Sequence, residues 1–257
     1  MAGLTRGSIG AITAPLFFVD PGALDGLGVA DVVDLTGPEA HHAAAVVRLA
    51  VGEHVLVADR QGARVLTEVT EIARELVRLR VLERADEPEP SLRLTLVQAL
   101  AKDGRDEDAV EAATELGVDA VVPWQADRSI VRWKGPKVDK GRRKWTHVVE
   151  RAAKQSRRGR WPHVEDLVGS AGLAERFAGA TPFVLHEDAT LPLATADLPG
   201  EGEVLLVVGP EGGISPQELE RFVAAGAQPV RLGSEVLRAS TAGPAAIAVL
   251  SAMGRWR

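Results

Sequence analysis

The chain has 257 residues, 46% of them hydrophobic, a formal net charge of −6 and no cysteine. That length allows one large domain or two modest ones, and the apolar fraction is enough to build cores. The lack of cysteine excludes disulfides, thiolate nucleophiles and cysteine-based zinc sites and fits a reducing, cytoplasmic compartment, while no apolar run is long enough to span a membrane. Residues 1–14 hold Arg6 but no sustained apolar core, so they read as a loose leader and not as a signal peptide.

Residues 15–85 form the first expected domain. Phe17-Phe18-Val19 is a short strand closed by Asp20-Pro21-Gly22, and Gly37-Pro38-Glu39 opens a short helix through Ala40 to Val47. Three strand-like runs follow, at 53–59, 64–70 and 76–82, with Arg60-Gln61-Gly62 turning between the first two. Short strands this close together predict a small β-barrel. His41 and His42 point in different directions from a helix and have no partner at i+4, so no metal site is expected. The prolines and like charges of Asp86-Glu87-Pro88-Glu89-Pro90 predict a linker over 86–90.

Residues 91–257 form the second. Leu92 to Leu100 reads as a buried strand, and a helix from Asp106 to Leu116 puts Ala109, Ala112, Ala113 and Leu116 on one face. Gly117 ends that helix and Val118 to Pro123 is the next strand, a βαβ rhythm that predicts a parallel sheet. From Arg128 to Arg160 the chain holds thirteen basic residues against Asp139 and Glu150, interleaved with Trp133, Trp145 and Trp161. Arginine on phosphate and aromatic rings on unstacked bases are how looped RNA is held, so a nucleic-acid partner is expected despite the acidic total. Trp145, Val148, Val149, Ala152 and Ala153 fall at helical spacing, which assigns Trp145 to the core.

Pro182 to Glu187 is a further strand, ending in Leu185-His186-Glu187, where His186 is a candidate general base. The aliphatic run Val204 to Val208 stops at Gly209-Pro210-Glu211-Gly212-Gly213, and a helix then starts with Ser215 as N-cap, Pro216 at its first position and Glu218 completing a capping box. Strand, glycine loop and helix start together are where α/β proteins bind ligands. The loop lacks the spacing of a phosphate or dinucleotide fingerprint, and Glu211 would repel a phosphate, so a ligand with a ribose, an amine or a sulfonium suits it better. Pro229 to Gly233 is another short strand. It leads through Ser234-Glu235-Val236-Leu237-Arg238-Ala239-Ser240-Thr241 into a buried helix over 242–253, in the core or at a subunit interface.

The pair Gly-Pro-Glu-Gly-Gly and Leu232-Gly233 through Leu237-Arg238 to Thr241-Ala242 resembles the C-terminal signature of the SPOUT methyltransferases. It is most similar to the RsmE family, which methylates N3 of a uridine in 16S ribosomal RNA of the small subunit. His41-His42 with Val46-Val47-Arg48-Leu49, Gln98-Ala99-Leu100 through Lys102, Glu115-Leu116-Gly117-Val118 and Gln155-Ser156-x-Arg158 extend the likeness over nearly the whole chain. Lys154, Ser240 and Glu235 depart from it, standing where the family commonly has glutamate, glutamate and arginine. The resemblance implies a PUA-like β-barrel followed by an α/β SPOUT domain with a parallel sheet, a C-terminal deep trefoil knot and a homodimer. It implies S-adenosyl-L-methionine as cofactor and no metal. The cofactor would be held by Leu185, His186 and Glu187, by Gly209, Pro210, Glu211, Gly212 and Gly213, and by Leu232, Gly233, Leu237, Ser240 and Thr241. Arg238 is the catalytic candidate, and Arg48, Lys102, Arg157, Arg158 and Arg160 are the RNA-binding candidates. Two other readings stay open: a SPOUT enzyme for another RNA target or atom, such as a tRNA ribose 2′-hydroxyl, and a non-enzymatic RNA-binding or assembly protein.

Overall fold

The computed structural model describes residues 14–256, so the leader expected at 1–14 falls outside the described residues except for Ala14. The chain divides into two compact units. One runs to Glu89 and takes in Arg157–Trp161; the other is Pro90–Ser156 with Pro162–Arg257.

The first unit is built on β1 (Leu16–Phe18), β2 (Val32–Thr36), α1 (Gly37–His41), β3 (His54–Ala58), β4 (Arg64–Ala73) and β5 (Leu76–Arg84). Its sheet runs β1-β3-β4-β5-β2, with β1 parallel to β3 and every other pair antiparallel. Strand alternation sends Val33, Leu35, Val55, Val57, Val77, Leu79 and Val81 to one face, where they meet Phe17, Ala40 and Leu49 in a single core. Register shifts between β4 and β5 at Leu66/Thr67 and Val69/Glu71 bend the sheet around that core. The small barrel expected from the sequence is seen as a curled half-barrel: β1 and β2 end the sheet unpaired with each other, and β1 has only three residues. The helix expected to Val47 changes pitch at His42, winds as a π-helix over His42–Val47, and stops at Arg48 in the left-handed region (φ 60°).

The Arg157–Trp161 segment is fastened to this unit. Trp161 lies 5.0 Å from the Phe18 ring, the Arg60 guanidinium stands 4.8 Å over it, and Arg160 Nη2 donates to the Glu87 carbonyl at 3.0 Å. Trp161 is thus packed away, and Trp145 is wholly buried. The core place read for Trp145 is borne out, and Trp161 is not exposed as a base-stacking platform.

The second unit contains β6 (Leu92–Ala99), α2 (Arg105–Glu115), β7 (Ala120–Gln125), α3 (Pro136–Gln155), β8 (His163–Val164), β9 (Val168–Gly169), α4 (Ser170–Glu175), β10 (Thr181–Leu185), β11 (Gly202–Val208), α5 (Pro216–Ala224), β12 (Gln228–Val230) and α6 (Ala239–Gly254). The sheet order is β12-β10-β11-β6-β7-β8, with β9 also on β7, and every pairing is parallel. Parallel strands are covered on both faces, and these residues divide accordingly. Leu92, Leu94, Leu96, Val204, Leu206 and Val208 pack with Val110, Trp145, Val149 and Ile247 from α2, α3 and α6. Val97, Ala99, Leu205 and Val207 pack the other way, with Leu173 and Phe222 from α4 and α5. Gly117, at φ +100°, closes α2 as its sequence position predicts. The last helix starts three residues earlier than its aliphatic run suggests, because Arg238 is its N-cap and Ala239 is already buried.

Candidate functional site

Three chain segments leave the C-terminal ends of β10, β11 and β12 and enclose one cleft of about 780 Å³. Such a volume lies within the roughly 300–1,000 Å³ usual for small-molecule sites. After β10 come Leu185, His186, Glu187 and Asp188; after β11, the stretch Gly209 to Ile214; after β12, Leu232, Gly233 and Glu235 to Ala239. Of the residues expected at the cofactor, Ser240 and Thr241 lie off this lining, in the first turn of α6, where the Thr241 N–H bonds back to the Arg238 carbonyl at 2.9 Å. Arg238 is on the lining and exposed.

The glycine loop has the shape it does for local reasons. A Cβ at Gly209 would stand 2.8 Å from Ile214 Cγ1, one at Gly212 would stand 3.2 Å from Arg128 Cβ, and Gly213 is at φ +72°. Beyond the loop, the Ser215 hydroxyl accepts from the Glu218 N–H at 3.2 Å, and the Glu218 carboxylate accepts from the Ser215 N–H at 2.9 Å, the reciprocal pair that starts α5. Glu211 lines the cleft with its carboxylate tied back: it accepts from the Lys102 N–H and from Arg105 Nη1, both at 3.3 Å. Arg128 Nη1 donates to the Gly212 carbonyl at 3.1 Å. Nothing near the glycine loop in the sequence marks Arg105 and Arg128 as its neighbours; Arg105 is the first residue of α2, after β6, and Arg128 comes from the loop after β7, both brought there by the parallel sheet.

His186 Nδ1 accepts the Asp188 N–H at 3.2 Å, so a neutral ring presents Nε2–H, a donor, on its other side. Among the cations of the lining, Arg105 is paired with Glu211, whereas Arg128 and Arg238 have no ion-pair partner among the described residues. The described residues hold no group of three or more His, Asp or Glu placed to bind a metal ion, and no helix among them is long and apolar enough to cross a membrane.

The RNA-binding candidates fall in both units. Arg48, Arg157, Arg158 and Arg160 belong to the first and Lys102 to the second. Arg48 and Arg157 are exposed in left-handed backbone, and Arg160 is half-buried beside Glu87 and Glu89. Along α3, Lys144 pairs with Glu107, Arg151 with Glu111 and Arg142 with Asp166. Lys134, Lys137 and Lys140 have no such partner among the described residues and remain solvent-facing.

A curled antiparallel sheet and a parallel α/β unit with a glycine-lined cleft at its strand ends are what two family models match, and both models are of RNA methyltransferases. The family model for an RNA methyltransferase domain matches residues 87–251, and that for an RNA methyltransferase PUA domain matches residues 35–82. The chain is 43% identical over 251 residues to the ribosomal RNA small subunit methyltransferase E of Mycobacterium bovis, covering 95% of this chain and 94% of that one. It is 29% identical over 231 residues to the protein of that name from Bacillus subtilis, covering 86% and 90%. A crystal structure of the Neisseria gonorrhoeae methyltransferase E bound to S-adenosyl methionine matches with a TM-score of 0.82 at 27% identity, over 94% of this chain and 98% of that one. The chain belongs to the RsmE family, the ribosomal RNA small subunit methyltransferases E.

Proposed function

We propose that this chain transfers a methyl group from S-adenosyl-L-methionine to N3 of a uridine in 16S ribosomal RNA of the small subunit. The observation that supports this most is the convergence of three strand-end segments on one glycine-lined cleft, in a chain of the RsmE family. The cofactor fits the residues present. Gly209 and Gly212 pack so closely on Ile214 and Arg128 that a Cβ at either would crowd them, which keeps the loop backbone compact along the cleft, where its groups can meet a ligand. Val208, Ile214, Leu219, Val230 and Leu232 supply apolar walls for a purine ring.

When bound, the cofactor supplies an electrophilic methyl group on sulfur. The chain's own part is to hold and align. Leu185, Gly209, Gly212, Gly213, Leu232, Gly233 and Leu237 would hold the cofactor through backbone and apolar contact. His186 would hold as a hydrogen-bond donor through Nε2–H, which favours a binding role over removal of the N3 proton. Arg238, exposed at the cleft with no carboxylate partner among the described residues, would stabilise the negative charge that develops on the uracil carbonyls. Glu211 takes an indirect role, tying the Lys102–Arg105 loop to the glycine loop. Lys102, Arg48, Arg157, Arg158 and Arg160 would meet the RNA.

The same reading includes a homodimer, a C-terminal trefoil knot and a cytoplasmic working place on the small ribosomal subunit. Val236 and Leu237 support the dimer: both are large and apolar, they are 76% and 38% exposed, and they line the cleft that a second copy would complete. Titration calorimetry with S-adenosylmethionine tests the binding half of the proposal. One saturable site per chain is expected; no heat and no ligand-induced rise in melting temperature would contradict it.

A further inference from the structure

The loop after β7 is held far more firmly than an exposed loop requires. Glu218 is fully buried, and a buried carboxylate is costly unless its oxygens are taken up. One oxygen accepts the Asp127 N–H at 2.8 Å and the Ser170 hydroxyl at 2.6 Å, the other the Ser215 N–H at 2.9 Å. The Ser215 hydroxyl donates to the Asp127 carboxylate at 3.2 Å, and Arg132 Nη2 donates to the Asp127 carbonyl at 2.7 Å. The residue fixed by all this is the next one, Arg128. Its Cβ and carbonyl would stand 3.2 and 3.4 Å from a Cβ on Gly212, so the two backbones are in contact, and its Nη1 holds the Gly212 carbonyl.

A guanidinium has five N–H donors, and a single carbonyl uses one of them. Arg105, its neighbour on the lining, is neutralised by Glu211; Arg128 has no carboxylate within ion-pair distance among the described residues. Beyond it Ser129 turns inward and is buried, while Ile130, Arg132 and Lys134 are exposed, the last two leading toward the basic face of α3. A pre-positioned, unneutralised arginine at the rim of a cleft, at the head of a basic track, suits the phosphodiester of a strand entering the site. We infer that Arg128 is a substrate-positioning residue of the proposed reaction, taking a phosphate oxygen of the target RNA at the cleft and so fixing where the base stands over the glycine loop. Glu218 is the positioning residue behind it. The inference rests on the proposed reaction for the identity of the strand.

The test uses the full chain and unmodified small ribosomal subunits. Methylation by the wild type reads the reaction itself, while equilibrium binding of the subunits as a function of salt reads Arg128 without any turnover. Arg128→Gln is expected to raise KM for the subunits about tenfold. It should also lower the slope of log affinity against log salt by about 0.7–0.9, the loss of one phosphate contact. Its S-adenosylmethionine Kd, measured without RNA, should change far less than its affinity for the subunits. Arg128→Lys should recover the salt slope. Glu218→Gln, which puts a carboxamide N–H where an oxygen now accepts, should raise KM and keep the slope. An unchanged KM and salt slope in Arg128→Gln would overturn the inference. So would a loss of cofactor affinity as large as the loss of RNA affinity, which would make Arg128 a prop for Gly212 and nothing more.

Discussion

A side chain at Gly212 would begin 3.2 Å from the Arg128 Cβ, with the Arg128 carbonyl close behind it. A valine would push against Arg128 and displace the loop that walls the cleft where the cofactor is proposed to lie. Gly212→Val is expected to abolish S-adenosylmethionine binding in calorimetry while its far-ultraviolet spectrum and melting transition stay near wild type; retained affinity would remove this loop from the site. Asp106 makes a second prediction of another kind. Burial pushes its carboxyl up to about 6 from 3.8, against the opposing help of the Ala101 and Glu107 N–H groups. Below 3.8 the group is protonated in folded and unfolded chains alike. Between 3.8 and about 6 the folded chain keeps the proton that the unfolded chain has lost, so stability falls as pH rises, by on the order of 3 kcal/mol in all. Above that window the penalty is constant. Asp106→Asn should therefore gain on the wild type as pH rises from 4 to 7, read from urea midpoints at the two values. A difference that does not move with pH would contradict the burial account.

At the scale of elements, helix propensity and packing compete at Gly141, in the middle of α3. Alanine there gains about 1 kcal/mol of propensity, but its Cβ would lie inside the space of the Trp133 ring, which packs edge-on to Trp145 at 5.6 Å. Overpacking costs about 1–3 kcal/mol, so packing wins: Gly141→Ala is expected to lower the urea midpoint, and a raised midpoint would show that Trp133 can move aside freely. Elements whose signals are local were legible in the sequence. Ser215, Pro216 and Glu218 lie within four residues and announce α5, and Gly117 announces the end of α2. The same Glu218 also binds Asp127 and Ser170, at separations of 91 and 48 residues, and no periodicity could reveal that. β2 was missed because its five residues alternate over only two buried positions, Val33 and Leu35. The curvature of the first sheet was legible because short strands predict it, whereas how far the barrel closes depends on which edges meet. At the cleft, the glycines were legible because only glycine meets the close approaches there; Arg105 and Arg128 were not, since the sheet order alone brings them in.

The whole molecule is acidic, at −6, yet carries its basic residues on a few faces. Charges farther away than the Debye length, about 8 Å at physiological salt, are largely screened, so the local charge of a face counts for more in RNA binding than the net charge does. Lys134, Lys137 and Lys140, unpaired among the described residues, should therefore count while paired Arg142, Lys144 and Arg151 count little. Changing the three lysines to glutamine is expected to lower the salt slope of small-subunit binding by about 2 and leave S-adenosylmethionine affinity alone. An unchanged slope would move the RNA track off α3. The central claim is the reaction, and nucleoside mass spectrometry tests it most directly. The chain is incubated with unmodified small ribosomal subunits and S-adenosylmethionine carrying a deuterated methyl group, and the ribosomal RNA is digested to nucleosides. The account predicts labelled 3-methyluridine at one site per subunit; label on a ribose 2′-oxygen, on another base, or nowhere in the RNA would contradict it.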